Sequence, residues 1–162
     1  MANQELTFEE NDFIVSKTDL SGKITYGNSL FITMSGYEEL ELINQPHKIL
    51  RHPEMPSIIF KLLWSRIKEG KEIFAYVKNK TKNGDYYWVF AHVTPSFDSN
   101  RKISNYHSVR RKPTQKALEF IKPFYSTLLQ KEKNGGISAS ESALNELLKD
   151  KGVSYDEFIL SL

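Results

Sequence analysis

The stretch KEIFAYVKNKTKNGDYYWVFAHVTP, residues 71–95, carries the architecture of this chain. Two extended runs, 71–80 and 85–95, are joined through Thr81-Lys82-Asn83-Gly84. Asn-Gly is the strongest short hairpin signal, because both residues tolerate the positive φ angles that a tight turn imposes. In the second run Tyr87, Val89, Ala91 and Val93 alternate with Tyr86, Trp88, Phe90 and His92, a period of two with bulky residues on both faces. Toward the C-terminus, a turn at Asp98-Ser99-Asn100 leads into a third long strand over 102–110, antiparallel to its neighbour.

Toward the N-terminus, Met55, Ile58, Ile59, Leu62, Leu63 and Ile67 recur at helical spacing between Pro53 and Gly70. Pro53 or Pro56 suits the start of that helix, where a missing N–H is harmless, and Gly70 suits the residue after its end. Residues 28–34 and 37–42 read as one- or two-turn helices. Earlier still, strands over 13–18 and 23–26 flank the turn Asp19-Leu20-Ser21-Gly22. Past Pro113 the pattern is helical, with Ala117, Phe120, Ile121, Phe124, Leu128 and Leu129 on one face and a kink expected at Pro123. Gly135-Gly136 breaks it. Ser138 with Glu141 and Ser154 with Glu157 then read as capping boxes of two short helices hinged at Gly152, with Ala143, Leu144, Leu147 and Leu148 as the stripe between them. Clustered antiparallel strands interrupted by helices predict an α+β domain over 13–112 with short helices on one sheet face. A polar segment, 1–12, precedes it and a helical extension, 113–162, follows, serving either to dock a partner or to cover the sheet.

The 162 residues are 40% hydrophobic, enough apolar material for one core. A net charge of +2 from 22 basic and 20 acidic residues gives no broad field for nucleic acid. Arg101-Lys102 and Arg110-Arg111-Lys112 flank a strand and read as facing solvent or an acidic surface. Cysteine is absent, which excludes disulfides, thiolate zinc sites, thiol nucleophiles and cysteinyl–flavin photochemistry. Apolar runs such as Ile58-Ile59-Phe60 are cut by charges far short of the roughly 20 residues needed to span a bilayer. The first twelve residues lack a signal-peptide pattern, so the expected location is the cytoplasm. Neither a nucleophile with its base, nor paired carboxylates, nor metal-ligand spacing is present, and no enzymatic activity is expected.

The segments SKTDLSGKITYGN (16–28) and KNGDYYWV (82–89) resemble the opening and closing blocks of PAS sensor domains. More narrowly, QPHKILRHPEMP (45–56), followed by VKNK (77–80), resembles the flavin-binding PAS domain of bacterial aerotaxis, or energy-taxis, receptors. The resemblance covers about residues 13–111. It implies a PAS fold: a five-stranded antiparallel sheet cupped by short helices, with FAD between the sheet and the longer helix as a reporter of redox state. With no membrane span and no room for a signalling module, the chain is similar to the stand-alone PAS component of bipartite energy-taxis systems. That similarity implies a membrane-bound methyl-accepting transducer as partner, and a homodimer. A haem-binding gas sensor, with His47, His52, His92 or His107 as axial ligand, and a ligand-free interaction module are the other readings of such a fold.

FAD offers a flat aromatic ring, which rewards apolar walls, and a diphosphate, which rewards Arg, His or backbone N–H groups. Arg51 and His52, just before a helix start, are the diphosphate candidates; an Arg there is otherwise a solvated surface residue. Glu54 stands where the family has an aspartate, and as a first-turn acid it also favours the helix N-terminus. His47 either bonds the cofactor or caps local backbone. Asn28 and Asn79 carry amides that both donate and accept, as a flavin edge requires, with turn duty the plainer role for Asn28. Phe60, Trp64, Tyr87 and Trp88 are candidate walls, of which at most two touch a ligand. The family's Trp after the long helix is matched by Ile73, leaving Phe74 or Tyr76 to compensate.

Overall fold

The computed structural model describes residues 3–162. β1 (Ile14–Thr18) and β2 (Ile24–Gly27) form the first hairpin, and β3 (Ile73–Lys80), β4 (Tyr86–Phe97) and β5 (Ile103–Arg111) are the long strands. They make one sheet in the order β2-β1-β5-β4-β3, antiparallel throughout. The first and last parts of the sensor unit therefore meet at the centre, where β1 pairs with β5. Because cross-strand partners share a face, the register Ile14↔Arg110↔Ala91 and Asn79↔Tyr87 lines up one inner surface.

The short helices lie over that inner surface. α1 (Ser29–Ser35) starts at Asn28, whose Oδ1 accepts from Phe31 N at 2.9 Å, and Gly36 closes it in the left-handed conformation. α2 (Glu39–Leu42) carries a reciprocal capping box between Glu38 and Glu41. A 3₁₀ turn over His47–Leu50 leads to α3 (Ser57–Lys68), which begins directly after Pro56 and buries Ile58, Ile59 and Ile67.

The outer surface of β3 and β4 presents Phe74, Tyr76, Trp88 and Phe90, apolar area that needs its own cover. The C-terminal helices supply it. α4 (Gln115–Lys151) buries Ala117, Leu118, Ile121, Tyr125 and Leu128, and α5 (Tyr155–Leu160) buries Tyr155, Phe158 and Ile159. They also close the open edge of β3: Tyr125 Oη donates to Tyr76 O at 2.6 Å and Tyr155 Oη to Phe74 O at 2.7 Å. His52 N donates to Lys78 O at 3.2 Å, so three edge carbonyls in sequence have partners. The extension thus packs on its own sheet.

The break expected at Gly135-Gly136 falls at Gly136, at φ 76° and ψ −175°, while the backbone dihedrals stay helical through Pro123. One local expectation differs. Ser138 and Glu141 do not form a capping box; Ser138 Oγ turns back to Gly135 O and Glu141 pairs with Lys61 at 2.7 Å. The second box, Ser154 with Glu157, is present.

Candidate functional site

A cavity of about 450 Å³ lies between α3 and the inner face of the sheet. Leu63, Trp64 and Ile67 of α3 form one wall, and Val77, Ala91 and Val93 of the sheet form the other. Trp64 meets Tyr106 edge to face, with ring centroids 5.6 Å apart. A Cβ on Gly22 would sit 3.1 Å from the Trp64 ring, and its φ of +88° is a further reason for glycine where the first hairpin turn lies against the indole. Ser21, Lys23 and Lys48 line the cavity and are also exposed, which places the mouth between that turn and the 3₁₀ turn.

The polar groups gather at two places. At the floor, Arg110 is 3% exposed and has no carboxylate partner among the described residues. Its Nη2 donates to Ser16 Oγ and its Nη1 to His47 Nε2 at 3.1 Å, while its buried Nε has no partner. Since a guanidinium only donates, His47 Nε2 accepts and the neutral ring carries its proton on Nδ1. Burial, and after it the charge of Arg110, push the His47 pKa down to about 3, so the ring is neutral near pH 7. Burial brings Arg110 itself down to about 10, which leaves it charged. Tyr87, paired across the sheet with Asn79, is 1% exposed, and its Oη lacks a partner. Burial raises its pKa to about 12, with the charge of Arg110 opposing the shift.

Nearer the mouth, the Arg51 guanidinium lies 3.7 Å from the centroid of the Phe60 ring, and its buried Nε also lacks a partner. Burial lowers its pKa. Counting the rim, Lys23, Lys48, Arg51 and Arg110 line the cavity, and among the described residues no Asp or Glu does. Buried cations without counterions are costly unless an anion or a strong acceptor joins them.

The structure brings His47, Arg51, Phe60, Trp64 and Asn79 to the cavity, with Tyr87 beneath its floor. It places the other candidates elsewhere. The Asn28 side chain is consumed by backbone: Oδ1 accepts from Phe31 N and Val15 N, and Nδ2 donates to Phe13 O at 2.9 Å. His52 Nδ1 accepts from Glu54 N at 3.0 Å, and its ring packs edge-on to Tyr86, outside the lining. Glu54 is exposed and pairs with Lys78 at 3.1 Å. Trp88 points to the outer face, against Tyr125, because it alternates with Tyr87 along β4. Phe74 and Tyr76 share that outer face and do not replace an indole at Ile73. Arg110 is the residue the sequence reading missed; its parity with Tyr106 and Ser108 along β5 is the signal that turns it inward.

The sequence pattern of the PAS fold matches residues 24–110, more than half of the chain, from the start of β2 to Arg110. The aerotaxis receptor of Escherichia coli (strain K12) is 38% identical over 128 residues, 79% of this chain and 25% of that protein. The nitrogen fixation regulatory protein of Klebsiella pneumoniae is 25% identical over 103 residues, 64% of this chain and 21% of that protein. The chain therefore spans about a quarter or less of the length of these relatives. In structure it is similar to the dark state of the blue-light photoreceptor Aureochrome1 LOV, with a TM-score of 0.57 and 25% identity, covering 75% of this chain and 84% of that one. The matched segment contains α3, four of the five strands and the cationic floor, and the chain belongs to the PAS fold family, as a relative of the aerotaxis receptor.

Proposed function

We propose that the chain is an FAD-binding redox sensor that reports to a membrane-bound, methyl-accepting transducer in aerotaxis or energy taxis. The observation that carries this reading is a cavity of about 450 Å³ with apolar walls, four cations and, among the described residues, no carboxylate in its lining. That volume falls in the range of about 300–1,000 Å³ usual for cofactor sites. The donor set fits a flavin dinucleotide. Arg51, with Lys48 and Lys23 at the rim, meets the diphosphate. Leu63, Trp64, Ile67 and Val77 hold the apolar body of the ring. Asn79, His47 and Arg110 would face its polar edge, and the partnerless Nε atoms of Arg51 and Arg110 are groups a ligand would satisfy.

When bound, the flavin supplies reversible electron uptake with a change in charge and protonation. Arg110 and Ser16 stand on β5 and β1, and both bond His47 Nε2, so a new partner for Arg110 redistributes hydrogen bonds shared by two strands and the 3₁₀ turn. None of the described helices is long and apolar enough to cross a membrane. In this reading the transducer brings the membrane, the chain lies on its cytoplasmic side through that partner, and it works as a homodimer. Of the haem candidates, His47 Nε2 is already held by Arg110 and Ser16, and His52 and His92 lie outside the cavity lining, which leaves His107, a lining residue, as the one axial ligand a haem reading would use.

The test is the absorption spectrum of the purified protein before and after dithionite. Flavin bands in the blue that bleach on reduction are expected. Arg51→Ala should bind FAD about tenfold or more weakly, the loss typical of one charge-assisted contact. Full occupancy in that variant would remove the diphosphate assignment. A folded, colourless protein that takes up no added FAD would overturn the sensor reading in favour of a ligand-free interaction module.

A further inference from the structure

α3 walls the cavity with one face, and its other side is held by carboxylates that all come from beyond residue 113. The helix has no side-chain cap of its own: Pro56 precedes it, and its first turn carries no acid. Its first amides are met by Glu132 of α4, whose Oε1 accepts from Ser57 N at 2.8 Å and whose Oε2 accepts from Ile58 N at 3.0 Å. A carboxylate in this position satisfies two orphan donors and faces the positive end of the helix dipole. The same Oε2 accepts from Ser140 Oγ at 2.7 Å, and Ser140 is fully buried. Farther along α3, Lys61 pairs with Glu141 at 2.7 Å, and Arg66 contacts both oxygens of Asp156 at 2.8 and 2.9 Å.

Gly136 lies between Glu132 and Ser140, in a conformation that interrupts α4, and a Cβ there would meet nothing within 4 Å. Glu132 is thus the junction of three pieces: the cavity wall, the helix half on which it stands, and the arm beyond the break. The other two ion pairs have partly exposed members, and such pairs contribute little individually.

We infer that Glu132 is a positioning residue that couples α3 to the arm 137–162, so that filling the cavity and docking the arm strengthen one another. The ligand side of this inference rests on the FAD reading above. Coupling of this kind is reciprocal: whatever the arm does to ligand affinity, the ligand does to arm docking by the same factor.

Hydrogen exchange on the full chain tests it, with and without FAD, in the unaltered protein and in Glu132→Gln, which keeps the shape and removes the charge. In the ligand-free variant, exchange should rise about tenfold in the first turn of α3 and in 137–162 together, while β4 and β5 keep their protection. FAD should slow exchange of the arm in the unaltered protein but not in Glu132→Gln, and its affinity for the variant should fall about fivefold or more. Loosening of α3 with an unchanged arm, or FAD binding without effect on the arm, would overturn the coupling. If the unaltered chain takes up no FAD, the cofactor reading fails on its own, and the ligand-free comparison still decides: joint loosening upholds the coupling, independent behaviour overturns it. Should Glu132→Gln not fold, Ser140→Ala leaves the α3 cap in place. It must loosen the arm and weaken FAD binding, and unchanged affinity with a loosened arm would overturn the proposal.

Discussion

Arg110 enters the core from an Arg-Arg-Lys run that reads, by composition, as a basic strand end. Its register opposite Ile14 and Ala91 turns it inward, whereas Arg111, one residue on, is exposed. The alternation of β4 works the same way: Tyr87 and Trp88 cannot share a face, so only Tyr87 reaches the cavity side. Arg51, Phe60 and Trp64 were legible because they sit in or beside a specific string before a clear helix. His52 and Glu54 belong to the same string and Asn28 to the block 16–28, where its amide suits a flavin edge, but local backbone or surface partners occupy all three instead. His47 carries a prediction at this scale. The unfolded chain protonates it near its ordinary pKa of about 6.5. The folded chain does so only near 3, because burial and then Arg110 disfavour the charge. Between those values the unfolded state binds more protons, so stability falls as pH drops through the window. The loss attributable to His47 should be about 1 kcal/mol from pH 6.5 to 5, less than for a dry group because one side of the ring faces the cavity. Urea unfolding at several pH values should show a flatter slope in His47→Gln. An unchanged slope would assign the acid sensitivity to His52 and His107, which burial shifts in the same direction.

Among elements, those announced by a local rule were readable. Gly84, at φ 94°, marks the turn of the β3–β4 hairpin, although Asn83 does not share its positive φ; the three-and-four spacing marks α3, and Ser154 with Glu157 marks the start of α5. Elements set by long-range partners were not. Glu141 is drawn to Lys61, eighty residues away, in place of its neighbour Ser138, and α3 takes its cap from Glu132, seventy-five residues on. No sequence window contains both members of such a pair. Asn28 separates a structural from a ligand-binding role. Its amide holds α1, β1 and the backbone of Phe13 together, so Asn28→Ala should cost about 1–2 kcal/mol in urea unfolding. FAD affinity should be unchanged, since the side chain lies outside the cavity lining. A large loss of affinity with normal stability would return Asn28 to the site.

On the scale of the whole molecule, α4 and α5 complete the sheet by covering the outer surface of β3 and β4 and by bonding the edge carbonyls of Phe74 and Tyr76. A chain cut after Lys112 would expose Tyr76 and Trp88, both buried here, beside an unprotected strand edge. Such a truncation should sediment as aggregates or bind a hydrophobic dye strongly, and the full chain should do neither. A soluble, monodisperse truncation would mean that the inner core suffices. The sequence pattern indicated both bulky faces of β4 but not that this chain supplies both covers, because amphipathic helices that dock on a partner and those that fold back carry the same stripe.

The cationic cavity bears on the life of the protein as well as on its chemistry. Of the positive groups that line it, Arg110 is buried with no carboxylate partner among the described residues, and an anion that settled beside it would draw the folded population up by mass action. If the cavity holds FAD as proposed, newly made copies without it would open more often and reach the cell's proteases first. The number of working molecules would then follow ligand supply, with no change in the rate of synthesis.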